Sequence, residues 1–324
     1  MIPEGEYLKT LLMINEAQTF FENNFSKALN LLKVPCPLFI PFGTGLQDDL
    51  TGIEKSVTFE KDKEIFEVVH SLAKWKREAL ARYGFQKHMG IFTNMKAIRK
   101  DEVVDPLHSF LVDQWDWEKV ISKEDRNLGY LKSTVSIIYE IILKTLSYLE
   151  EKFSLKKLSL PSSVTFVSSE DLYDNYQNLS SQEREQAFVR DEKAVFIIGV
   201  GKNLKDGKPH DLRSPDYDDW DLNGDLLLYS DVLKSAVEIS SMGIRVDKKS
   251  MEKQLKISNC EYKLSFPYHK KILNEELPYT IGGGIGKSRL LMFLLRKSHI
   301  AQVQASFWGK NVENFLYSNH LKSL

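Results

Sequence analysis

The sequence predicts a mixed α+β fold in which a mainly antiparallel β-sheet is flanked by helices. Two observations support this prediction. Most predicted strands are joined by hairpins rather than by repeated βαβ units, and apolar residues at three- and four-residue spacing mark long helices. The 324 residues include no internal repeat, low-complexity tract or linker, so we expect a single domain over residues 1–324. With 42% hydrophobic and 27% charged residues, the chain can form a packed core.

The composition excludes several classes of protein. Lys and Arg total 44 and Asp and Glu total 45, a net charge of −1 that is too balanced for a dedicated nucleic-acid binder. Cys36 and Cys260 lie far apart, which excludes a disulfide scaffold and a thiolate zinc site and fits a reducing compartment. Residues 1–10 do not resemble a signal peptide, and the apolar stretch Val135–Leu149 is shorter than the roughly 20 residues of a membrane span. We therefore expect a cytoplasmic protein that does not bind a membrane.

The first predicted element is a helix over Glu6–Lys33, in which apolar residues such as Leu8 and Leu11 follow the helical period. Pro35 and Pro37 then forbid a helix and force an extended stretch. The next predicted elements are a polar loop (Gly43–Gly52), a short strand (Phe66–His70) and a helix (Ala73–Arg82).

An antiparallel hairpin with a long charged connection comes next. Its first strand, connection and second strand span Phe92–Arg99, Lys100–Pro106 and Leu107–Val120. Side chains alternate between the two faces of a strand, so Gln114 and Asp116 share one face. Trp115 and Trp117 point to the opposite face, which we expect to be packed.

The rest of the chain alternates between helices and strands. A helical block is predicted at Arg126–Phe153. Strands at Val164–Val167 and Ala194–Val200 enclose a helical segment at Ser169–Lys193, and a long polar loop follows at Gly201–Gly224. Two strands follow at Asp225–Tyr229 and Ala236–Val246, and then two helices at Asp247–Lys256 and Tyr268–Glu276.

The last predicted elements are a glycine loop at Gly282–Gly286, a helix at Lys287–Lys297 and a strand at Gln302–Trp308.

The glycine-rich segment GGGIGKSR at 282–289 fits neither familiar nucleotide-binding pattern. A phosphate-binding loop needs a glycine five positions before Gly286, where this chain has Ile281. The pattern GxGxxG fails because Lys287 and Arg289 stand where its last glycine would be. What remains is a close-packed glycine strand that turns into a helix with Arg289 in its first turn. Such glycines can let a flat ligand lie against the backbone, or they can form a tight strand–helix joint without a ligand.

The hairpin carries polar groups that suit small charged ligands. Arg99, at the end of its strand, could clamp a carboxylate or a phosphate, or it could form a surface ion pair with Glu102. Asp116, between two tryptophans, could bind an ammonium group, or it could be a surface acid beside a packed aromatic rib. The residues alone leave both alternatives open.

A second group of charged residues lies on the two predicted strands after the long loop. Asp225 and Glu238 could hold Mg²⁺, which prefers a few carboxylates together with phosphate oxygens and water. The alternative is cross-strand salt bridging with Arg245. The acid-dense PDYDDW at 215–220 is by itself more often a solvated loop. The seven histidines show no HExxH spacing, so we expect no zinc site.

Taken together, these segments resemble the ammonia-dependent asparagine synthetases of type A, the aspartate–ammonia ligases. That family is similar to the catalytic core of class II aminoacyl-tRNA synthetases, nearest the aspartyl and asparaginyl enzymes. The resemblance lies in QDDLTGIEK, FEVVHSLAKWKR, PLHSFLVDQWDWEKV, PDYDDW, LNGD, SSMGIRVD and IGGGIGKSRLLM, and it covers nearly the whole chain. HSLAKWKR and DQWDWE are long and unusual in composition, which makes the resemblance specific.

The resemblance implies a carbon–nitrogen ligase that uses ATP. ATP would activate the β-carboxylate of aspartate as an aspartyl adenylate and release pyrophosphate, and ammonia would then displace AMP to give asparagine. Arg99 would bridge the α-phosphate and the attacking carboxylate, and Arg289 would hold the phosphate tail. Asp225 and Glu238 would carry Mg²⁺, which offsets phosphate repulsion.

The resemblance also implies roles for the remaining site residues. Lys76 would meet a carboxylate of aspartate, and Asp48 or Asp218 would take a proton from ammonium, with the choice between the two left open. The residues expected to contact the amino acid are Ser71, Gln114, Asp116 and Ser241. Those expected to contact the nucleotide are His108, Ser109, Val112, Arg245, Gly284 and Gly286. One departure from the family is that only Asp221 separates PDYDDW from LNGD, where the family has a longer loop, so the resemblance does not support a lid role for this segment and supports the placement of Asp218 less than the others.

Three rival functions are less favoured. A tRNA-charging relative would usually carry an anticodon-binding domain and a basic surface, and this chain has a net charge of −1. A non-catalytic amino-acid sensor would not need to keep Arg99 and Arg289. A glutamine-dependent synthetase needs an activated cysteine, whereas residue 2 is Ile and Cys36 lies beside prolines. We expect free ammonia as the nitrogen donor and, from the resemblance, a homodimer formed through Glu6–Leu38, including the predicted N-terminal helix.

Overall fold

The structure, a computed structural model, describes residues 5–52 and 54–324. The strands are β1 (Leu31–Lys33), β2 (Phe39–Pro41), β3 (Thr58–Lys61), β4 (Glu64–Val68), β5 (Gly90–Ile98), β6 (Leu111–Val120), β7 (Thr165–Ser168), β8 (Ala194–Ile198), β9 (Asp218–Ser230), β10 (Ser235–Arg245) and β11 (Thr280–Gly286). The helices are α1 (Glu6–Leu29), α2 (Ala73–Tyr83), α3 (Leu128–Lys152), α4 (Ser169–Asn175), α5 (Ser181–Glu192), α6 (Lys248–Ile257), α7 (Pro267–Leu273), α8 (Lys287–Leu294) and α9 (Lys310–Ser318).

An eight-stranded sheet with the order β1-β5-β6-β11-β10-β9-β8-β7 forms the centre of the fold. Its inner pairs are antiparallel, and only the outer pairs β1–β5 and β7–β8 are parallel. A smaller sheet has the order β2-β4-β3. The predicted mainly antiparallel sheet flanked by helices is confirmed.

The hairpin formed by β5 and β6 separates a packed face from a polar face, as its alternating pattern predicts. On the packed face, the Phe21 ring of α1 stacks on Trp115 with ring centroids 4.6 Å apart. Phe25 meets Trp117 edge to face at 6.1 Å. Helix α3 adds its apolar side to the same core. Gln114 therefore points to the other face, where the main cavity lies.

The predicted helix Glu6–Lys33 is wrong at its C-terminal end. Helix α1 ends at Leu29 because Asn30 adopts the left-handed conformation, with φ of 57°, and its backbone N–H donates to the carbonyl of Ser26. Residues 31–33 then form β1 and pair in parallel with β5. A local apolar period cannot distinguish a last helical turn from a short strand whose partner lies about 60 residues later.

Two loop predictions also need correction. The predicted polar loop Gly201–Gly224 ends before Asp218, where β9 begins, because residues from Asp218 onward pair with β10. The segment Gly282–Gly286, predicted as a glycine loop along the chain, belongs to β11, a strand at the centre of the sheet between β6 and β10, which agrees with the interpretation of its motif as a close-packed glycine strand. A Cβ added at Gly282 would collide with the Glu118 carboxylate, so glycine is required by this close approach.

The C-terminal prediction is wrong as well. Residues 302–308 contain no strand; Ile300–Gln302 forms a 3₁₀ turn instead. The side chain of Gln304 donates to the carbonyl of Leu111 at 3.0 Å, so this segment is held against β6 by a side chain rather than by a backbone ladder. Helix α9 after it was not predicted. Within residues 5–52 and 54–324, none of the helices is both long and apolar enough to cross a membrane.

Candidate active site

A cavity of about 400 Å³ lies on the polar face of β6, β11, β10 and β9. Every residue that the sequence analysis assigned to the site lines it. These residues are Asp48, Ser71, Lys76, Arg99, His108, Ser109, Val112, Gln114, Asp116, Asp218, Asp225, Glu238, Ser241, Arg245, Gly284, Gly286 and Arg289. They come from segments spread over most of the chain, and the sheet brings them together.

Arg99 leaves the end of β5 at one wall of the cavity. Its backbone N–H donates to the carbonyl of Phe110 at 2.8 Å, which continues the hairpin ladder. Its guanidinium donates long hydrogen bonds, at 3.3 and 3.4 Å, to the carbonyl of His70. No ion pair joins Arg99 to Glu102 in the described part of the chain. The guanidinium therefore keeps hydrogen-bonding capacity for a ligand.

Lys76 and Asp116 form a buried ion pair on the floor of the cavity. Lys76 Nζ also donates to the carbonyl of Gly283 at 3.2 Å and lies 3.9 Å from Glu118. The second oxygen of Asp116 accepts the backbone N–H of Leu72 at 3.1 Å. Burial lowers the pKa of Lys76. A substrate carboxylate that meets Lys76 must share its ammonium with Asp116.

Asp48 is buried and held by neighbouring donors. One of its carboxylate oxygens accepts the Ser71 hydroxyl at 2.6 Å, and the other accepts the backbone N–H of Leu50 at 2.9 Å. The preceding residue, Gln47, donates to the carbonyl of Val68 at 2.9 Å. These bonds fix the polar loop against α2 and β4.

Arg245 does not form the cross-strand salt bridge that was the alternative interpretation. Its buried guanidinium pairs with Glu118, at 2.7 Å, and with Asp218 rather than with Asp225 or Glu238. Arg245 thus lines the cavity with its charge committed to two carboxylates. Burial is the largest influence on Asp218 and raises its pKa despite this pairing.

Arg213, which the sequence analysis missed, provides the partner of Asp225. Its guanidinium lies 2.5 Å from an Asp225 oxygen, and that same oxygen accepts the Ser241 hydroxyl. Arg213 belongs to the long loop before β9 and also lines the cavity. The only signal in the sequence was a lone arginine beside the acid-dense PDYDDW in a loop long enough to be functional.

Another part of the cavity holds residues that the resemblance assigns to the nucleotide, among them His108, Ser109 and Arg289. His108 Nδ1 lies 2.8 Å from an oxygen of Asp105, and the Ser109 hydroxyl accepts the backbone N–H of Leu111 at 3.2 Å. Arg289, in the first turn of α8, lies 3.7 Å from Glu238. Gln304 also lines this part, and it was missed because its segment has no local pattern that separates it from a strand.

The carboxylates of the cavity suit an Mg²⁺ ion that also binds substrate phosphates and water, as the sequence predicts. In residues 5–52 and 54–324, no group of three or more His, Cys, Asp or Glu side chains is placed to hold a metal ion. Asp225 and Glu238 nevertheless line the same cavity from neighbouring strands. Two carboxylates are the usual protein contribution to a magnesium ion that also binds substrate phosphates and water.

Comparison with known proteins identifies the family. The family described as Aspartate-ammonia ligase matches residues 8–320. A protein named Aspartate--ammonia ligase from Fusobacterium nucleatum is 49% identical over 320 residues, covering 98% of both chains. One of the same name from Clostridium perfringens strain SM101 is 51% identical over 320 residues, covering 98% of this chain and 95% of that one.

The chain belongs to the aspartate–ammonia ligase family.

Solved structures similar to this aspartate–ammonia ligase are class II aminoacyl-tRNA synthetases. Asparaginyl-tRNA synthetase from Entamoeba histolytica, in complex with asparaginyl-adenylate, has a TM-score of 0.65 at 14% identity, over 92% of this chain and 66% of that chain. The enzyme from Pyrococcus horikoshii, in the same type of complex, has a TM-score of 0.65 at 13% identity, over 92% and 69%. The ligase thus spans about two thirds of these chains, and the likeness shows a shared fold.

Membership of the family confirms the predicted enzyme class, an ATP-dependent ligase that joins ammonia to aspartate. The predicted likeness in fold to class II synthetase cores is also confirmed. The roles of the individual site residues stay predictions.

Proposed function

We propose that this ligase makes asparagine through a β-aspartyl adenylate, with release of AMP and pyrophosphate, in one catalytic domain. The observation that carries this proposal is that Arg99 and Arg289 line the same cavity of about 400 Å³ as the buried pair Lys76–Asp116. Two guanidinium groups suit the phosphates of ATP, and a buried charged pair suits an amino acid that carries both signs of charge.

In the first step, a β-carboxylate oxygen of aspartate would attack the α-phosphorus of ATP, and pyrophosphate would leave. Arg99 would contact both the attacking carboxylate and the α-phosphate and stabilise the negative charge of the transition state. Arg289 would hold the β- and γ-phosphates. Mg²⁺ bound by Asp225 and Glu238 would neutralise phosphate charge.

Recognition of aspartate would depend on the floor of the cavity. The α-ammonium group would be bound by Asp116 and Gln114, while Lys76 would bind a carboxylate of the substrate. Ser71 and Ser241 would add hydroxyl groups. Because Lys76 and Asp116 already bind each other, the two ends of aspartate can replace one internal ion pair by two intermolecular contacts.

In the second step, ammonia would attack the carbonyl carbon of the adenylate, and AMP would leave. Asp48 and Asp218 are the two alternative proton acceptors that the family resemblance implies. Each already has internal partners, because Asp48 accepts hydrogen bonds on both oxygens and Asp218 pairs with Arg245. Their carboxylates would still favour ammonium in the cavity by charge.

The cytoplasm and a homodimer are part of the proposal. Cys36 and Cys260 are both unpaired thiols, in keeping with a reducing compartment. The outer side of α1 exposes Leu8 and Leu11 by about half, and Leu38 beyond it is 51% exposed. This apolar strip within Glu6–Leu38 would be covered by the same strip of a second copy.

The direct test is a product assay with aspartate, ammonium, ATP and Mg²⁺ and no tRNA. We expect asparagine, AMP and pyrophosphate in equal amounts. ADP and inorganic phosphate would show that the carboxylate is activated by phosphorylation, and the proposal would be wrong.

A further inference from the structure

The proposed function leaves the guanidinium of Arg213 without a role, although it lines the same cavity as the carboxylates proposed for Mg²⁺. Arg213 lies in the loop between β8 and β9, and its side chain is 10% exposed. One terminal nitrogen lies 2.5 Å from Asp225 Oδ1, and the other donates to the Ser241 hydroxyl. Ser241 donates in turn to the same oxygen of Asp225, so the three side chains form a closed set of hydrogen bonds.

The backbone that carries Arg213 is held in place from two sides. The hydroxyl of the next residue, Ser214, donates to the buried Asp216 at 2.7 Å, and Asp216 also binds Lys74 at 2.6 Å. On the other side, a Cβ added at Gly201 would lie only 2.8 Å from the Cβ of Arg213. The fold therefore places this guanidinium at Asp225, while the long side chain can still exchange one partner for another.

The second carboxylate proposed for Mg²⁺ also faces an arginine. Arg289 lies 3.7 Å from Glu238, whose side chain is 45% exposed, so this pair is looser than Arg213–Asp225. Asp211, in the same loop as Arg213, adds a further negative charge that acts on Glu238. These three acids and two arginines have a net charge of only −1. A divalent cation that meets them without phosphate therefore gains little attraction.

Arg213 also opposes a metal ion directly, because both would bind the carboxylate of Asp225. Two cations on one carboxylate repel each other whichever oxygen each of them uses. Charges of +2 and +1 at roughly 5 Å lower an affinity by about tenfold even at the dielectric constant of water. Phosphate oxygens between the two cations would remove this repulsion, and a guanidinium binds phosphate with two parallel hydrogen bonds.

We propose that Arg213 is the counter-ion of Asp225 in the nucleotide-free enzyme and a ligand of the polyphosphate of ATP when Mg²⁺ is bound. The magnesium site is then complete only together with the nucleotide, and the metal and ATP each raise the affinity of the other. This inference rests on the proposed function, which assigns Mg²⁺ to Asp225 and Glu238. It adds a third guanidinium to Arg99 and Arg289 as a contact of ATP.

The first test measures binding of Mn²⁺ to the nucleotide-free enzyme by electron paramagnetic resonance, which reports the free ion. Arg213→Gln should bind Mn²⁺ about tenfold more tightly than the wild type at low ionic strength, because the competing charge is gone. Arg213→Lys keeps that charge and should stay within about twofold of the wild type. The gain should disappear when Asp225→Asn is combined with Arg213→Gln. An unchanged Mn²⁺ affinity in Arg213→Gln would overturn the proposal.

Arg296→Gln is the matched control for this measurement. Arg296 also pairs with a carboxylate, that of Glu150 at 2.8 Å, but it does not line the active-site cavity. Its replacement also releases a carboxylate and removes one positive charge, and the Mn²⁺ affinity should not change. An equal gain in Arg296→Gln and Arg213→Gln would show a general effect of charge and would overturn the specific role of Arg213.

The second test compares ATP with AMP in equilibrium binding with Mg²⁺ and without aspartate. Arg213→Gln should bind ATP about tenfold more weakly, since bonds from a charged donor to phosphate are lost. Its affinity for AMP, which lacks the β- and γ-phosphates, should not change. A merely structural role would weaken both nucleotides equally, and that result would overturn the proposal.

If Arg213→Gln does not fold, Arg213→Lys decides the question. A lysine cannot form two parallel bonds to a phosphate, so ATP binding should weaken several-fold and AMP binding should not. Wild-type affinity for ATP in Arg213→Lys would overturn the proposal. Aspartate-dependent exchange of pyrophosphate into ATP, which reports adenylate formation, tests the route separately. Its absence in the wild type would refute the adenylate, and the binding measurements would still decide the role of Arg213.

Discussion

The segment PDYDDW supplies one carboxylate to each of two buried charge clusters that behave differently. Asp216 belongs to a closed cluster, where it accepts from Lys74 at 2.6 Å and from His269 at 2.9 Å and lies 3.4 Å from Lys263. Asp218, two residues later, pairs with Arg245 at the edge of the active-site cavity.

The two carboxyls respond to burial in opposite ways. Burial alone would raise the pKa of both. In the closed cluster, two lysines and a histidine outweigh burial and hold the pKa of Asp216 well below its usual range. In the active site, burial outweighs the two arginines, and the pKa of Asp218 is raised. The partners in the closed cluster therefore outweigh the burial of its carboxyl, whereas the partners at the cavity do not, a pattern that is common for buried groups at functional sites.

The largest effect should come from breaking the closed cluster. Asp216→Asn leaves Lys74 and Lys263 buried without their shared counter-charge, and we expect the free energy of unfolding to fall by about 3–5 kcal/mol. Urea unfolding measures it. The control is Asp191→Asn, at a carboxylate 66% exposed, which should change stability by no more than about 0.5 kcal/mol. Equal behaviour of the two variants would contradict a stabilising role for the cluster.

Arg99→Lys should reduce activity and leave stability almost unchanged. Among residues 5–52 and 54–324, its guanidinium makes only long contacts, so stability should change little. Pyrophosphate exchange should fall by roughly 10²–10³-fold, because a lysine cannot bridge carboxylate and phosphate in the same geometry. The matched control is Arg190→Lys, at an exposed position paired with Asp191, which should keep full exchange activity. An active Arg99→Lys enzyme would remove the central contact of the proposed first step.

Asp218→Asn makes the same chemical change as Asp216→Asn, but in the cluster at the active-site cavity. Arg245 keeps Glu118 as a partner, so we expect a loss of only about 1–2 kcal/mol, which is smaller than the loss for Asp216→Asn. The same urea unfolding experiment measures it. If the two variants lose the same stability, the difference in organisation between the clusters is not real.

The smallest effect is in the pH dependence of stability. A carboxyl with a depressed folded pKa contributes stability above its unfolded pKa, about 3.9, and that stability is lost as the pH falls further. Acidification below about pH 4 should therefore destabilise the wild type more steeply than Asp216→Asn. Asp218, with a raised pKa, has the opposite sign, since its folded form takes up a proton first. Unfolding curves between pH 3 and 7 for both variants test the two slopes.

Much of the fold could be predicted where the signal is local. The alternation along β6 separated Gln114 and Asp116 from Trp115 and Trp117, because a strand has a strict two-residue period. Helix α2 was predicted to within one residue of its end. The end of α1, the start of β9 and the segment after α8 were not, because each depends on a partner strand or a side-chain anchor elsewhere in the chain.

The candidate site could likewise be predicted only in part from the sequence. Its residues could be assigned from motifs that resemble a family, yet Arg213 was not assigned, since a lone arginine in a loop looks like many structural residues. Its significance appears only from its pairing with Asp225 in the folded chain.

By itself, the sequence determined the fold class, the family and the residue types available for chemistry, because these follow from periodicity and from long motifs. Only the tertiary structure decided which charges neutralise one another. Lys74 meets Asp216 across 142 positions, and Arg245 meets Glu118 across 127. Such pairs form because buried charges need a partner at hydrogen-bonding distance, and that distance is set by the packing of the sheet and not by neighbours along the chain.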